Sequence, residues 1–377
     1  MPLRNAENRP AAARGGKRYD AVPSLAKRIM ELWNDNNDNW QAAQDALINA
    51  GLTDGLPVVP PTAARVRAML DAHGFDATEV IADLPPLFAP VTWQDIAINA
   101  VMAGCLPDYL PVVGAAVEGI AQGEFNLVGI ATTTGSAAPM IIVNGPIVQK
   151  IGLNAEGNVF GPGHRANATI GRALTLVLRN VGGAIPGELD MSTIGQPAKY
   201  TCCIAENEAG SPWAPLHLER GFDKNDSVVT VVGISGSVEI VDSSSHTAED
   251  LAQSFAQSML IAGTAGSGGL LGGGEPLLVM PPEIAHAFQR AGCNKAHAKA
   301  LIHERAVMPR DRLSSAIREH RAMLAKSAGE DPNADLRIAK APDDVMIVVA
   351  GGVGIKAAYL PTWSGMTKAI SLKLRGR

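Results

Sequence analysis

Apolar residues recur along this chain with two spacings, one helical and one strand-like, and the spacing switches often enough to predict alternating helices and strands. Helical spacing holds over residues 24–33 and again over 40–50, where Gly51 suits a left-handed cap. DGLPVVPPT (54–62) breaks that period with three prolines around an apolar pair, and Thr62 is placed to cap a helix running to about His73. Thr92-x-x-Asp95 is a capping-box variant that predicts a helix ending near Gly104, followed by a second over 111–122. Two β-rich runs, 126–132 and 140–143, flank a small-residue loop at 133–139. Asn167 is the expected cap of a long helix closed by Gly182 and Gly183, whereas residues 185–222 keep no period at all. Runs at 227–234 and 238–241 read as a hairpin around Ser235-Gly236, and Thr247-x-x-Asp250 opens a helix to about Ala262. Beyond it come a glycine-rich connection or lid at 263–274, a strand at 276–280, helices over 282–291, 294–306 and 310–328, and the strand VMIVVAGG (345–352).

This pattern predicts the α/β class, with a mixed β-sheet core, flanking helices and a helical N-terminal region. The expected division is a mobile basic arm at 1–20, a helical region at 21–90, an α/β core carrying the site loops at 91–262, and a C-terminal α/β region at 263–377. No tandem repeat of fixed period is visible.

Composition narrows the function classes. Hydrophobic residues make up 46% of the 377 and charged ones 18%, below the usual ~25%, which excludes a disordered chain and predicts surface covered by contacts, hence a homo-oligomer. A net charge of −5 offers no basic field for a phosphate backbone, so no nucleic-acid partner is expected. No apolar run approaches the ~18 residues that would predict a membrane span, and the first residues lack the apolar stretch of a secretory signal, so a cytoplasmic location is expected. Four cysteines are too few for a disulfide framework.

Phosphate-loop, zinc-protease, nucleophile-elbow and Cys-x-x-Cys motifs are missing, so the sequence names no cofactor. Adjacent Cys202 and Cys203, with Glu206 and Glu208 just beyond, are the most unusual local chemistry. Carboxylates two positions apart face one side of an extended strand, where each disfavours ionisation of the other and one, its pKa raised, is suited to serve as an acid or base. Asp190 and His217 would extend this to a carboxylate and histidine set, but no pair has helical metal spacing and no metal ligands are assigned. His164-Arg165, just before a helix start, combines a guanidinium with free backbone amides and suits a carboxylate or phosphate. VAGGVGIK (349–356) follows a strand, and its amides with Lys356 suit an anion as well.

The segments DGLPVVPPT (54–62), INAVMAGCLPDYLPVV (98–113), APMIIVNGP (138–146), FGPGHRANATIGRAL (160–174), GELDMSTIGQPAKY (187–200) and CCIAENEAGSPWAPLHLERGF (202–222) resemble the large, mostly uncharacterised bacterial proteins associated with, or fused to, the UGSC family of selenocysteine or cysteine proteins. The likeness runs over most of residues 50–360. It implies thiol- or disulfide-oxidoreductase-like activity by association with that partner, whose own Sec/Cys-Gly-Ser-Cys motif this chain lacks. It therefore implies a small UGSC-type partner protein, with this chain supplying the substrate pocket.

The expectation is a metabolic enzyme acting on a small anionic substrate by thiol-assisted or acid/base chemistry. Cys203, Cys202, Glu206 and Glu208 are the expected catalytic residues, with Asn144, His164, Arg165, Asn167, Thr134, Ser136 and His217 binding substrate. Two alternatives stand beside it: a redox-neutral lyase or hydrolase using glutamate and histidine, with or without a metal, and a non-catalytic binding or scaffold subunit.

Overall fold

The computed structural model describes residue 29 and residues 40–261, 274–363 and 367–375. The basic arm, nearly all of the helix expected over 24–33 and nearly all of the glycine-rich connection lie outside the described residues. Helices α1 (Trp40–Asn49), α2 (Ala63–Asp71), α3 (Trp93–Ala103), α4 (Leu110–Ile120), α5 (Leu127–Thr132), α6 (Ile147–Lys150), α7 (Arg165–Asn180), α8 (Leu216–Glu219), α9 (Ala248–Ile261), α10 (Pro282–Arg290), α11 (Lys295–Arg305) and α12 (Ser315–Ala328) are interleaved with strands. The strands are β1 (Val80–Leu84), β2 (Ala89–Thr92), β3 (Ala138–Asn144), β4 (Cys203–Ala205), β5 (Val228–Ile234), β6 (Val238–Val241), β7 (Leu277–Met280), β8 (Val307–Met308), β9 (Leu336–Arg337), β10 (Met346–Val349), β11 (Lys356–Leu360) and β12 (Ile370–Lys373). The fold is α/β with mixed sheets, as the pattern predicts.

Every residue of β3 and β5 is buried, which requires cover on both faces of their sheet. That cover is a second sheet on one side and helices on the other. The first sheet runs β12-β5-β3-β4 and the second β6-β11-β7-β10. Met140, Ile142, Ile204 and Val232 of the first meet Leu277, Val279, Met346, Val348 and Leu360 of the second. The alternate residues point outward, Ile141, Val143 and Val231 toward α4 and α7, and Leu278, Ile347 and Val349 toward α9, α10 and α11. The molecule is therefore a four-layer helix–sheet–sheet–helix stack.

Both sheets follow one topology. A strand (β3 or β7) is followed by helices, a parallel neighbour (β4 or β10), and an antiparallel strand on the other side (β5 or β11). The fourth strand is exchanged: β6 follows β5 in sequence but pairs with β11, and β12 follows β11 but pairs with β5. The two crossings touch where Ser235 N–H donates to the Pro361 carbonyl at 2.6 Å and Trp363 N–H to the Gly233 carbonyl at 2.9 Å.

Three expectations need correction. The run at 126–132 is a helix, because Asn126 takes a left-handed φ of 55° and its side chain accepts from Gly129 N–H as a cap. The expected hairpin at 227–241 does not form, because its two strands belong to different sheets. The N-terminal region also contains the strand β1, which pairs with β2. The Thr92 capping box is present, as are the Thr62 cap and the left-handed glycines at 51 and 104.

Candidate acid/base site

Parallel pairing of β3 with β4 sets Val143 opposite Ala205, so Asn144 and Glu206 emerge together at the carboxyl end of the strand pair. Asn144 Nδ2 donates to Glu206 Oε2 at 2.7 Å and to Glu208 Oε1 at 3.0 Å, and Gly145 N–H donates to the same Glu208 oxygen at 2.7 Å. One amide thus bridges two carboxyl groups. Glu206 is only 2% exposed and accepts further from Leu216 N–H at 2.7 Å and from Val349 N–H of the second sheet at 3.5 Å. His217, on α8, has no exposed surface, and its Nδ1 lies 3.7 Å from Glu208 Oε1.

Burial is the largest influence on Glu206 and raises its carboxyl above the ordinary range, against the opposing pull of the Lys295 charge and the donated hydrogen bonds. Lys295 stands 4.0 Å from Glu206 and is engaged by Glu219 at 2.7 Å. Three buried polar atoms here, Asn144 Oδ1 and both ring nitrogens of His217, have no hydrogen-bond partner among the described residues. Buried polar groups are rarely left so, and orphans gather where a structure awaits a ligand, a water or a catalytic rearrangement. Glu208 opens the group to solvent, its side chain being 31% exposed.

Four of the expected site residues, Asn144, Glu206, Glu208 and His217, are therefore brought together, and the others are not. Cys203 faces the helix layer of the first sheet, where burial raises its thiol well above the ordinary value. Cys202 is half-buried and faces the sheet interface, and desolvation pushes its thiol up to about 12. Cys105 is likewise pushed up to about 12 by burial, and its thiol donates to the Thr169 carbonyl at 3.3 Å. Since the thiolate is the reactive form, none of the three is primed as a nucleophile near pH 7.

His164, rather than Asn167, is the residue at the cap of α7, and its side chain makes no capping bond. Arg165 Nε donates to the Gly104 carbonyl at 2.9 Å, which commits that guanidinium edge to the protein. Asn167 is a buried bracket: its Oδ1 accepts from Asn154 N–H at 2.8 Å, while its Nδ2 donates to the carbonyls of Asn154 at 2.9 Å and Cys203 at 3.2 Å. The loop of Thr134 and Ser136 braces the segment after α7, since the Thr134 carbonyl accepts from Thr193 N–H and the Ser136 carbonyl from the Gln196 side chain. Asp190 pairs with Lys199 at 2.6 Å, and among the described residues no three His, Cys, Asp or Glu side chains are placed to hold a metal ion. No described helix is long and apolar enough to cross a membrane. Lys295 and the Leu216 and Val349 amides carry no sequence signal, because each meets Glu206 through folding of distant segments.

Comparison of the chain with family models, curated proteins and solved structures finds no match.

Proposed function

We propose that the chain is an enzyme that moves protons on a small molecule, a redox-neutral lyase or hydrolase, with Glu208 as its catalytic acid/base. The observation that carries this reading is the single Asn144 amide shared by two carboxyl groups of unequal burial, with an unpartnered buried histidine beside the more exposed one. Such pairing distinguishes a carboxyl group enclosed by the protein, Glu206, from one that a substrate can reach, Glu208. Glu208 is the member that a substrate would touch. His217 lies behind it, and a shift of under 1 Å would close their hydrogen bond and let the ring share the proton. Glu206 and Asn144 are positioning residues that fix the Glu208 carboxylate.

The resemblance to UGSC-associated proteins speaks for thiol chemistry, but the burial of Cys202 and Cys203 favours the acid/base alternative. A small thiol or selenol partner and self-association remain part of the proposal, and native mass spectrometry of the purified chain reads both. The test is an activity screen with small esters, amides and hydroxy acids. On any substrate turned over, Glu208→Gln is expected to lower kcat by about 100-fold or more, while Cys202→Ser and Cys203→Ser stay within a few-fold of the parent. Loss of turnover in a cysteine variant with full activity in Glu208→Gln would overturn the reading.

A further inference from the structure

The shared topology gives the acid/base site a counterpart in the second sheet. Glu206 N–H donates to the Val143 carbonyl, and Ala350 N–H donates to the Met280 carbonyl in the same way. Ala350 thus stands where Glu206 stands, and Pro281 where Asn144 stands. The first position is filled by polar side chains. At the second, these smaller residues and the glycine turn that follows β10 leave a cleft of about 550 Å³, walled on the other half by residues 157–161, 196–198 and 201–202. That volume is in the range of small-molecule sites.

The cleft has a definite chemical character. Lys356 and Glu239 both line it, and among the described residues neither makes an ion pair or side-chain hydrogen bond, with each other or with anything else. Ala358 pairs with Glu239 and Lys356 with Val241, so the two charged residues are diagonal neighbours on one sheet face. In the glycine turn, Gly351 N–H is taken by the Ala155 carbonyl and Gly354 N–H by Glu283. The Gly352 and Val353 amides donate to no group among the described residues. Beside the charges the floor is apolar, with Ala358 opposite Glu239 and Val279 and Leu360 beyond it.

We propose that this cleft binds a small zwitterion of the amino-acid type with an apolar side chain. Its carboxylate would sit on Lys356 and the Gly352 and Val353 amides, its ammonium group on Glu239, and its hydrocarbon against the apolar floor. A simple acid held on Lys356 would lie beside the unmatched negative charge of Glu239, and a simple amine held on Glu239 beside the positive charge of Lys356, which discriminates against both. The site is separate from Glu208 and does not depend on the acid/base reading.

The experiment is isothermal titration of the full chain with L-leucine and L-phenylalanine, alongside 4-methylpentanoate and 3-methylbutylamine, which each lack one charge. The expected result is binding of an amino acid, weakened about tenfold or more by Lys356→Met, by Glu239→Gln and by removal of either ligand charge. Glu208→Gln should bind as the parent does. Both cleft substitutions are at exposed positions, so unchanged melting temperatures would show that folding is intact. No heat from either amino acid at millimolar concentration would overturn the proposal. So would an acid that binds as tightly as the amino acid, an unaffected Glu239→Gln variant, or loss of binding in Glu208→Gln.

Discussion

Asn144 and Asn167 show how much one amide side chain decides here. Both are buried, and each satisfies groups from segments far apart in sequence, Asn144 the two glutamates and Asn167 the backbone before and after α7. Asn167→Ala would orphan the Asn154 N–H in a buried setting, so a loss of about 2 kcal/mol is expected in denaturant unfolding. Glu206 makes a pH-dependent contribution whose sign is fixed by its raised carboxyl. Between the ordinary value and the raised one the folded state holds a proton that the unfolded chain has released, so stability falls as pH rises through that window. Unfolding measured across pH should show this fall in the parent and a flatter profile in Glu206→Gln. Glu206 and Glu208, two positions apart, are readable as a functional pair from the sequence. Their partner Asn144 was also among the candidates, but the bridge itself depends on a strand register that no local pattern states. Cys202 and Cys203 are adjacent in sequence, yet Cys203, the first residue of β4, is buried on the helix side while Cys202, just before the strand, faces the sheet interface.

Elements whose signals are local were legible, and those decided by tertiary contact were not. Thr92 and Asp95 form their capping box within four residues, and the Thr62 cap is equally short in range. The run at 127–132 is rich in residues suited to a strand, but Asn126 starts a helical turn and Gly129 lies under the ring of Trp363, where a side chain would clash. The pattern predicts strand 238–241 but not its partner, since alternation reports burial and not sheet membership. Helix packing also depends on one missing side chain. Gly114 of α4 lies against the indole of Trp93, which is stacked at 3.8 Å on Phe75. A Cβ there would enter the ring, so Gly114→Ala is expected to cost about 1–3 kcal/mol by chemical denaturation.

At the scale of the whole molecule, strand exchange makes the two sheets one folding unit. β12 completes the first sheet from the end of the described chain, and β6 completes the second from its middle. The division at residues 262/263 that the pattern along the chain predicts runs across this exchange. Thermal unfolding should therefore be a single cooperative transition, and deletion of residues 367–377 should lower the melting temperature and expose the edge of β5; two separate transitions would contradict this. The repeat was hidden in the sequence because the equivalent strands share little beyond apolar character and a proline at matching positions, Pro139 and Pro276. It also explains why the molecule carries both a buried carboxylate cluster and an open cleft at corresponding strand ends. The most direct test of the central claim is a pH titration of the carboxyl carbons of ¹³C-labelled glutamate by NMR. One glutamate should titrate above the ordinary range and vanish in Glu206→Gln. Glutamates that all titrate in the ordinary range, or a raised one that persists in Glu206→Gln, would contradict the account.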